Sequence, residues 1–135
     1  VAPVANYVPF VITGKQIFVS GQVPIVDGKP SFIGTCGATI STEDAVKAAR
    51  VCAINLIAQA KAAAGDLDSI ARVVKLVGFV NSAPDFTEQP KVINGASDLM
   101  VDVFGDKGRH ARSAVGVAAL PLGVSVEVEA VFELA

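Results

Sequence analysis

Hydrophobic and polar positions along the chain follow two different periods, which predict strands and helices in mixed order. Segments rich in β-branched and aromatic residues predict strands at 7–12, 16–19, 31–33, 71–81, 112–118 and 124–134. Gly14-Lys15 and Asp27-Gly28 are typical turn sequences between the first of these segments. Residues 34–40 are interpreted as a loop, and Pro9 suits a strand at the edge of a sheet.

Two further segments show the period of an amphipathic helix. The first begins after Ser41 or Thr42, whose hydroxyl can accept an N–H bond of the first turn, and ends at Gly65. The second covers 87–104, with Pro90 tolerated in its first turn. The inward face of the first helix is made mostly of small residues: Ala45, Ala48, Ala49, Cys52, Leu56 and Ala60. The apolar side of the second comprises Val92, Ala96, Leu99, Met100 and Val103.

The order of these elements predicts an α+β fold in which both helices cover one face of a mixed β-sheet, a two-layer sandwich. Residues 1–135 are expected to form one domain, since 135 residues are too few for two ordinary cores. The other face of the sheet has no helix left to cover it. Assembly into a dimer or trimer would bury that face.

Composition narrows the function classes. A chain that is 52% hydrophobic and 18% charged is not intrinsically disordered. Its net charge of −2 provides no basic excess for nucleic acid, and no apolar run reaches the roughly 20 residues of a membrane span. Cys36, Cys52 and His110 match neither a disulfide framework nor a zinc site, so we expect reduced thiols, no metal and a cytoplasmic protein.

The predicted strand at 112–118 holds the first candidate chemistry. Alternation along it places Arg112, Ala114, Gly116 and Ala118 on one side, so a guanidinium stands beside three very small side chains. Such a surface either packs closely against a neighbouring element or leaves room for a small ligand. A carboxylate would suit that ligand, because the planar guanidinium matches it with two hydrogen bonds.

The last predicted strand holds the second candidate. It places Glu127, Glu129 and Glu133 on one side. Either these residues form a solvated polar face, or one of them lies next to Arg112 in the sheet and handles a proton or a water molecule.

Two separated motifs, near the start and the end of the chain, match one known pattern. Arg112-Ser113, Leu120-Pro121 and Val126-Glu127-Val128-Glu129-Ala130 resemble the C-terminal signature of the RidA/YjgF family of reactive intermediate deaminases. Ser20-Gly21-Gln22-Val23-Pro24 resembles the family's Ser-Gly-Gln-x-Pro motif, and the order of elements agrees over nearly the whole chain. The resemblance implies a chorismate-mutase-like fold, a homotrimer with clefts between subunits, and hydrolysis without metal or cofactor. Enamines and imines such as 2-aminoacrylate would become 2-oxo acids and ammonia.

The resemblance also implies roles for individual residues. Arg112 matches the family's carboxylate-binding arginine, and Glu127 matches the glutamate thought to position or activate water. Tyr7 matches a tyrosine that lines the cleft, although an ordinary strand aromatic would look the same. Ser20 and Gly21 match cleft positions in the Ser-Gly-Gln motif.

Other positions match the family less closely. Asn94 matches a helix asparagine near the site only if one residue is inserted before Arg112, and a solvated polar position explains it equally. Ala114 stands where the family often has a cysteine, so it offers a backbone contact to substrate but no thiol. His110 stands where the family prefers a small residue or proline, either as a surface residue or as a proton carrier. These departures indicate a divergent branch.

Several functions therefore compete. The first is hydrolytic deamination of enamine and imine intermediates, and the second is a regulatory protein that binds a small carboxylate in the same cleft without turnover. An endoribonuclease or translation inhibitor, labels used in the family, is disfavoured by the charge of −2 and the scarcity of aromatic residues near basic ones. A trimeric, chaperone-like surface is the weakest alternative.

Overall fold

The computed structural model describes residues 5–135. Its strands are β1 (Phe10–Thr13), β2 (Gln16–Gln22), β3 (Ile25–Val26), β4 (Lys29–Pro30), β5 (Ile70–Asn81), β6 (Ala111–Val117) and β7 (Val126–Leu134). Its helices are α1 (Thr42–Ala64) and α2 (Gln89–Phe104). None of the helices in this described part is long and apolar enough to cross a membrane.

The main sheet has the strand order β1-β2-β7-β5-β6. Only β5 and β6 run parallel, while the other neighbours are antiparallel, so the sheet is mixed as predicted. The two helices pack on one face of it, because buried side chains of β2, β5 and β7 share the hydrophobic core with α1 and α2. The predicted α+β sandwich of two layers is confirmed.

Helix α1 begins and ends where its sequence predicts. The Asp44 backbone N–H donates to Ser41 Oγ at 3.1 Å, which caps the first turn. Gly65 has φ 84° and donates its N–H to the Lys61 carbonyl oxygen at 2.8 Å, which ends the helix. The predicted inward face is fully buried, and its small side chains allow α1 to lie close to the sheet.

Helix α2 is held close to both the sheet and α1 by two glycines. A Cβ at Gly78 of β5 would collide with the Ile93 side chain, and one at Gly95 would collide with the Val46 carbonyl oxygen. The helix starts at Gln89 rather than at 87. Val103 was expected on the apolar side but is 44% exposed, and its neighbour Phe104 instead packs against Phe132 of β7.

The first part of the chain differs most from the prediction. Strand β1 begins at Phe10, so Tyr7 precedes the sheet. Asp27 and Gly28 have φ 51° and 76°, the left-handed values of a two-residue hairpin, and they connect β3 to β4. Residues 31–33 are therefore not a strand; Ile33 makes only an isolated bridge to Val124.

The face of the sheet opposite the helices, called the open face from here on, is largely apolar and uncovered within one chain. Val11, Phe18 and Val115 of this face are 52%, 44% and 43% exposed. Val11 and Phe18 pair across β1 and β2, and adjoining exposed apolar side chains of this kind are typical of contact surfaces.

Candidate functional site

Arg112 lies on the helix side of the edge strand β6. It pairs with Leu76, a core residue, and its side chain reaches α2. Arg112 Nη1 donates to Ser97 Oγ at 3.1 Å, and Nη2 donates to the Pro90 carbonyl oxygen at 3.2 Å. A guanidinium has five N–H groups, so three remain without a partner among residues 5–135 and are available to a ligand. The guanidinium is thus oriented by the protein and still able to bind.

Asn94 is placed beside this guanidinium by the geometry of α2. In an α-helix the Asn94 N–H bonds the carbonyl of Pro90, four residues earlier, which is the carbonyl that Arg112 also reaches. The Asn94 side chain is exposed, on the same side of the helix as Ser97. Asn94 therefore lies within the surroundings of Arg112, although its family match required an inserted residue.

The small residues next to Arg112 leave less room than expected. Ala114 pairs with Gly78, shares the helix side of β6 and is partly exposed. Gly116 is small because the Gln89 amide and Ser82 Oγ fill its side, at 2.8 and 3.0 Å from the position of a Cβ. Of the two alternatives for this stripe, close packing holds at Gly116, and room for a ligand remains only near Ala114.

Glu127 lies on the open face of β7, half-buried against β2. Its Oε2 occupies the space above Gly21, where any Cβ would collide with it. Burial, and secondarily the charge of Glu129, raise the pKa of the Glu127 carboxyl above its usual range. A carboxyl shifted in this direction can exchange a proton at a pH nearer to neutrality than an exposed one.

Ser20 connects Tyr7 to this second region. Ser20 Oγ donates to the Val8 carbonyl oxygen at 2.7 Å, and the Ser20 N–H donates to that of Pro9 at 2.9 Å. These bonds hold the segment that carries Tyr7, whose ring is 54% exposed. The Ser20 hydroxyl proton is thus used within the chain, which leaves its oxygen lone pairs for a ligand.

The candidate residues form two groups that one chain does not bring together. Arg112, Asn94 and Ala114 belong to β6 and α2; Tyr7, Ser20, Gly21 and Glu127 belong to the β1, β2 and β7 side. The expectation of a glutamate next to Arg112 in the sheet is wrong: β5 separates β6 from β7, which puts about 10 Å between those strands. Glu127 also projects from the face opposite Arg112, because it pairs with Phe79 whereas Arg112 pairs with Leu76.

Two residues near Arg112 were missed or undervalued from the sequence. Ser97 was not singled out at all, and the structure places its hydroxyl between Arg112 and His110. His110 was noted as a departure from the family pattern, either a surface residue or a proton carrier, and not as a partner of Ser97. Its spacing to Ser97 carries no signal in the sequence, since the two meet only when β6 pairs with β5 beneath α2.

The thiol of Cys52 lies behind Glu127, on the helix side of β7. It donates to the Val126 carbonyl oxygen, with Sγ 3.7 Å away. Burial, and secondarily the charge of Glu127, raise the pKa of this thiol above its usual range. Cys36 is also free and buried, and within residues 5–135 no group of three or more His, Cys, Asp or Glu side chains is arranged to hold a metal ion.

Comparison with known proteins identifies the family. The profile of the family described as "YjgF/chorismate_mutase-like, putative endoribonuclease" matches residues 1–134. This chain belongs to the YjgF family, and the predicted chorismate-mutase-like fold is confirmed.

Individual relatives place the chain within that family. Protein TCP17 of Trypanosoma cruzi is 54% identical over 134 residues, covering 98% of this chain and 84% of the relative. The crystal structure of Atu1372, a protein of unknown function from Agrobacterium tumefaciens, is 52% identical with a TM-score of 0.95, covering 99% of this chain and 86% of that one. RidA from an Antarctic Psychrobacter is 26% identical with a TM-score of 0.68, covering 98% and 92%. The nearer relatives carry no activity in their names, so the prediction of a divergent branch is confirmed.

Proposed function

We propose that the chain assembles into a homotrimer with a ligand cleft between each pair of neighbouring subunits. One subunit contributes the group around Arg112, and its neighbour contributes the group around Glu127. The position of these groups on opposite sides of the sheet supports this arrangement, because a cleft within one chain cannot combine them. The apolar open face, which includes Val11, Phe18 and Val115, supports burial between subunits.

In this cleft the protein hydrolyses reactive enamines and imines of small carboxylic acids to 2-oxo acids and ammonia. Arg112 binds the substrate carboxylate with N–H groups that α2 leaves available, and so fixes the imine carbon in place. Asn94 and Ala114 border the carboxylate. Tyr7 covers the apolar side chain of the substrate.

Glu127 handles the protons. Its carboxylate accepts a proton from water while the water oxygen forms a bond to the carbon of the protonated imine, which gives a tetrahedral aminoalcohol. The same carboxyl returns the proton to the amino nitrogen. The regenerated carboxylate then accepts the hydroxyl proton as the carbonyl forms, the carbon–nitrogen bond breaks and ammonia leaves. The raised pKa of Glu127 favours both steps, because a carboxyl shifted in this direction takes up and releases a proton closer to neutral pH than an exposed one does.

The observation that carries this proposal is the guanidinium of Arg112, held by Ser97 and Pro90 with N–H groups to spare. The test couples an enzyme that generates 2-aminoacrylate to detection of the 2-oxo acid, with and without this protein. Arg112→Lys keeps the charge but loses the planar fork, so Arg112→Lys and Arg112→Ala are both expected to lower turnover by about 10²-fold. Undiminished turnover in both variants would show that Arg112 is not the carboxylate-binding group.

The alternative is a regulatory protein that binds a small carboxylate without converting it. Ala114 favours this alternative, because the position that is often a thiol in the family carries only a methyl group. Calorimetry with 2-oxo acids, run beside the ammonia-release assay, separates the two functions. Binding without turnover supports the regulatory protein; RNA cleavage that persists in purified Arg112→Ala would instead indicate a nuclease site elsewhere.

A further inference from the structure

A line of hydrogen bonds leads from Arg112 away from the cleft and into the protein. Arg112 Nη1 donates to Ser97 Oγ at 3.1 Å, and Ser97 Oγ lies 2.9 Å from His110 Nε2. His110 Nδ1 lies 2.6 Å from the Gly108 carbonyl oxygen. Ser97 and His110 are outside the set of residues matched to the family.

With the His110 ring neutral, the chemistry of the groups fixes the direction of each bond. A carbonyl oxygen only accepts, so His110 Nδ1 carries the proton and donates it to Gly108. In the neutral ring Nε2 is then an acceptor, and the Ser97 hydroxyl donates to it. A guanidinium only donates, so Ser97 Oγ receives the Arg112 N–H on a lone pair while its own proton points to His110. Each group therefore orients the next.

The far end of the line is held in place by packing. Gly108 is buried, and a Cβ at this position would collide with the Met100 carbonyl oxygen of α2. The Gly108 carbonyl therefore has little freedom to move relative to α2. Ser97 and Gly108 are thus both placed relative to the same helix, Ser97 as part of α2 and Gly108 by its packing against Met100.

We propose that Ser97 and His110 are positioning residues that set the orientation of the Arg112 guanidinium for a carboxylate ligand. The proposal rests on the proposed role of Arg112 in the cleft. The Pro90 carbonyl alone gives the guanidinium one contact, about which the planar group can rotate, whereas the second contact at Ser97 fixes the plane. His110 acts one step further back, because it takes the Ser97 proton and so leaves the lone pair of that oxygen directed at Arg112.

Two matched pairs of variants test this proposal. Ser97→Thr keeps the hydroxyl, and Ser97→Val has the same shape without it. His110→Gln offers an amide oxygen where Nε2 lies, and His110→Met has a similar length with no comparable acceptor. Calorimetry measures the Kd for 2-oxobutanoate and for its uncharged amide, and a urea titration measures the stability of each variant.

Within each pair the apolar variant is expected to bind 2-oxobutanoate about tenfold more weakly than its polar partner, with no matching loss for the amide. Equal Kd values for 2-oxobutanoate within both pairs would overturn the proposal, and so would an equal loss for acid and amide. Failure of both apolar variants to fold would show that the two residues are structural, which also overturns it.

Arg112→Ala, measured beside them, separates this proposal from the proposed function. If Arg112→Ala abolishes binding of 2-oxobutanoate while the pairs show no difference, Arg112 binds the carboxylate without help from Ser97 and His110. If Arg112→Ala binds as well as the unmodified chain, the role of Arg112 itself is wrong.

Discussion

Two inactive variants are expected to restore activity when they assemble together. Arg112→Ala removes the guanidinium on the helix side of β6, and Glu127→Gln removes the carboxyl on the open face of β7. Since β5 lies between these strands and the side chains project from opposite faces, each functional cleft takes Arg112 from one subunit and Glu127 from its neighbour. A mixed trimer can therefore contain a cleft with both groups intact, although no chain in it carries both.

The size of the recovery follows from counting clefts. In a closed ring assembled at random from equal amounts, a cleft is intact only if its Arg112 side comes from a Glu127→Gln chain and its Glu127 side from an Arg112→Ala chain. Each condition holds in half of the cases, so about one quarter of the unmodified activity is expected. A site built within one chain would give no recovery at all.

The assay is release of 2-oxo acid by chains that are co-expressed in equal amounts and purified through one tag common to both, so that trimers of every composition are retained. A matched control co-expresses the unmodified chain with the double variant. In this control, a cleft formed by two subunits is again intact in about one quarter of cases, whereas a site formed within one chain is intact in about one half. Background activity in the mixture of Arg112→Ala and Glu127→Gln chains, together with about half of the unmodified activity in the control, would refute a cleft shared between subunits.

Three further changes test separate parts of the structure. Gly21→Ala is expected to displace the Glu127 carboxyl, because the added methyl group takes the space that Glu127 Oε2 occupies. Turnover is expected to fall about tenfold or more while the circular dichroism spectrum stays unaltered. Full activity would show that Glu127 does not need the space above Gly21. Burial raises the pKa of Glu127, so the folded unmodified chain loses stability as this carboxyl gives up its proton. Glu127→Gln has no proton to lose, and it is expected to gain stability relative to the unmodified chain as the pH rises from about 4 to 7. Urea titrations in which the difference in unfolding free energy between the two chains stays constant or changes in the opposite direction would contradict this. Gly78→Ala is expected to destabilise the protein by about 1–3 kcal/mol, since the added methyl collides with Ile93; an unchanged free energy of unfolding would show that α2 can move away.

The elements that could be placed from the sequence are those whose boundaries depend on residues close together in the chain. Helix α1 could be placed from Ser41 and Gly65, because a capping hydroxyl and a left-handed glycine act on adjacent backbone groups. The hairpin of β3 and β4 was recognised only by its turn. Its two-residue strands are too short to show any alternation, so the strand signal was assigned to residues 31–33 instead.

The arrangement of the site could not be predicted in the same way. Alternation shows which residues of one strand share a face, but the relation between the faces of β6 and β7 depends on the register of β5 between them. For this reason the sequence left open whether Glu127 lies next to Arg112 in the sheet or on a solvated polar face. Ser97 gave no signal, because a serine in a helix becomes informative only when tertiary packing places it against Arg112.

Cys52 offers a way to observe the chemistry on the other side of the sheet. Its thiol is buried behind β7 and stays protonated, yet the charge of Glu127 acts on it through the strand. The S–H stretching vibration absorbs in an infrared region where other protein groups are nearly silent, and its frequency depends on the local electric field. The arrival and departure of a proton at Glu127 can therefore be followed during a reaction without a label, by a sulfur atom that never meets the substrate.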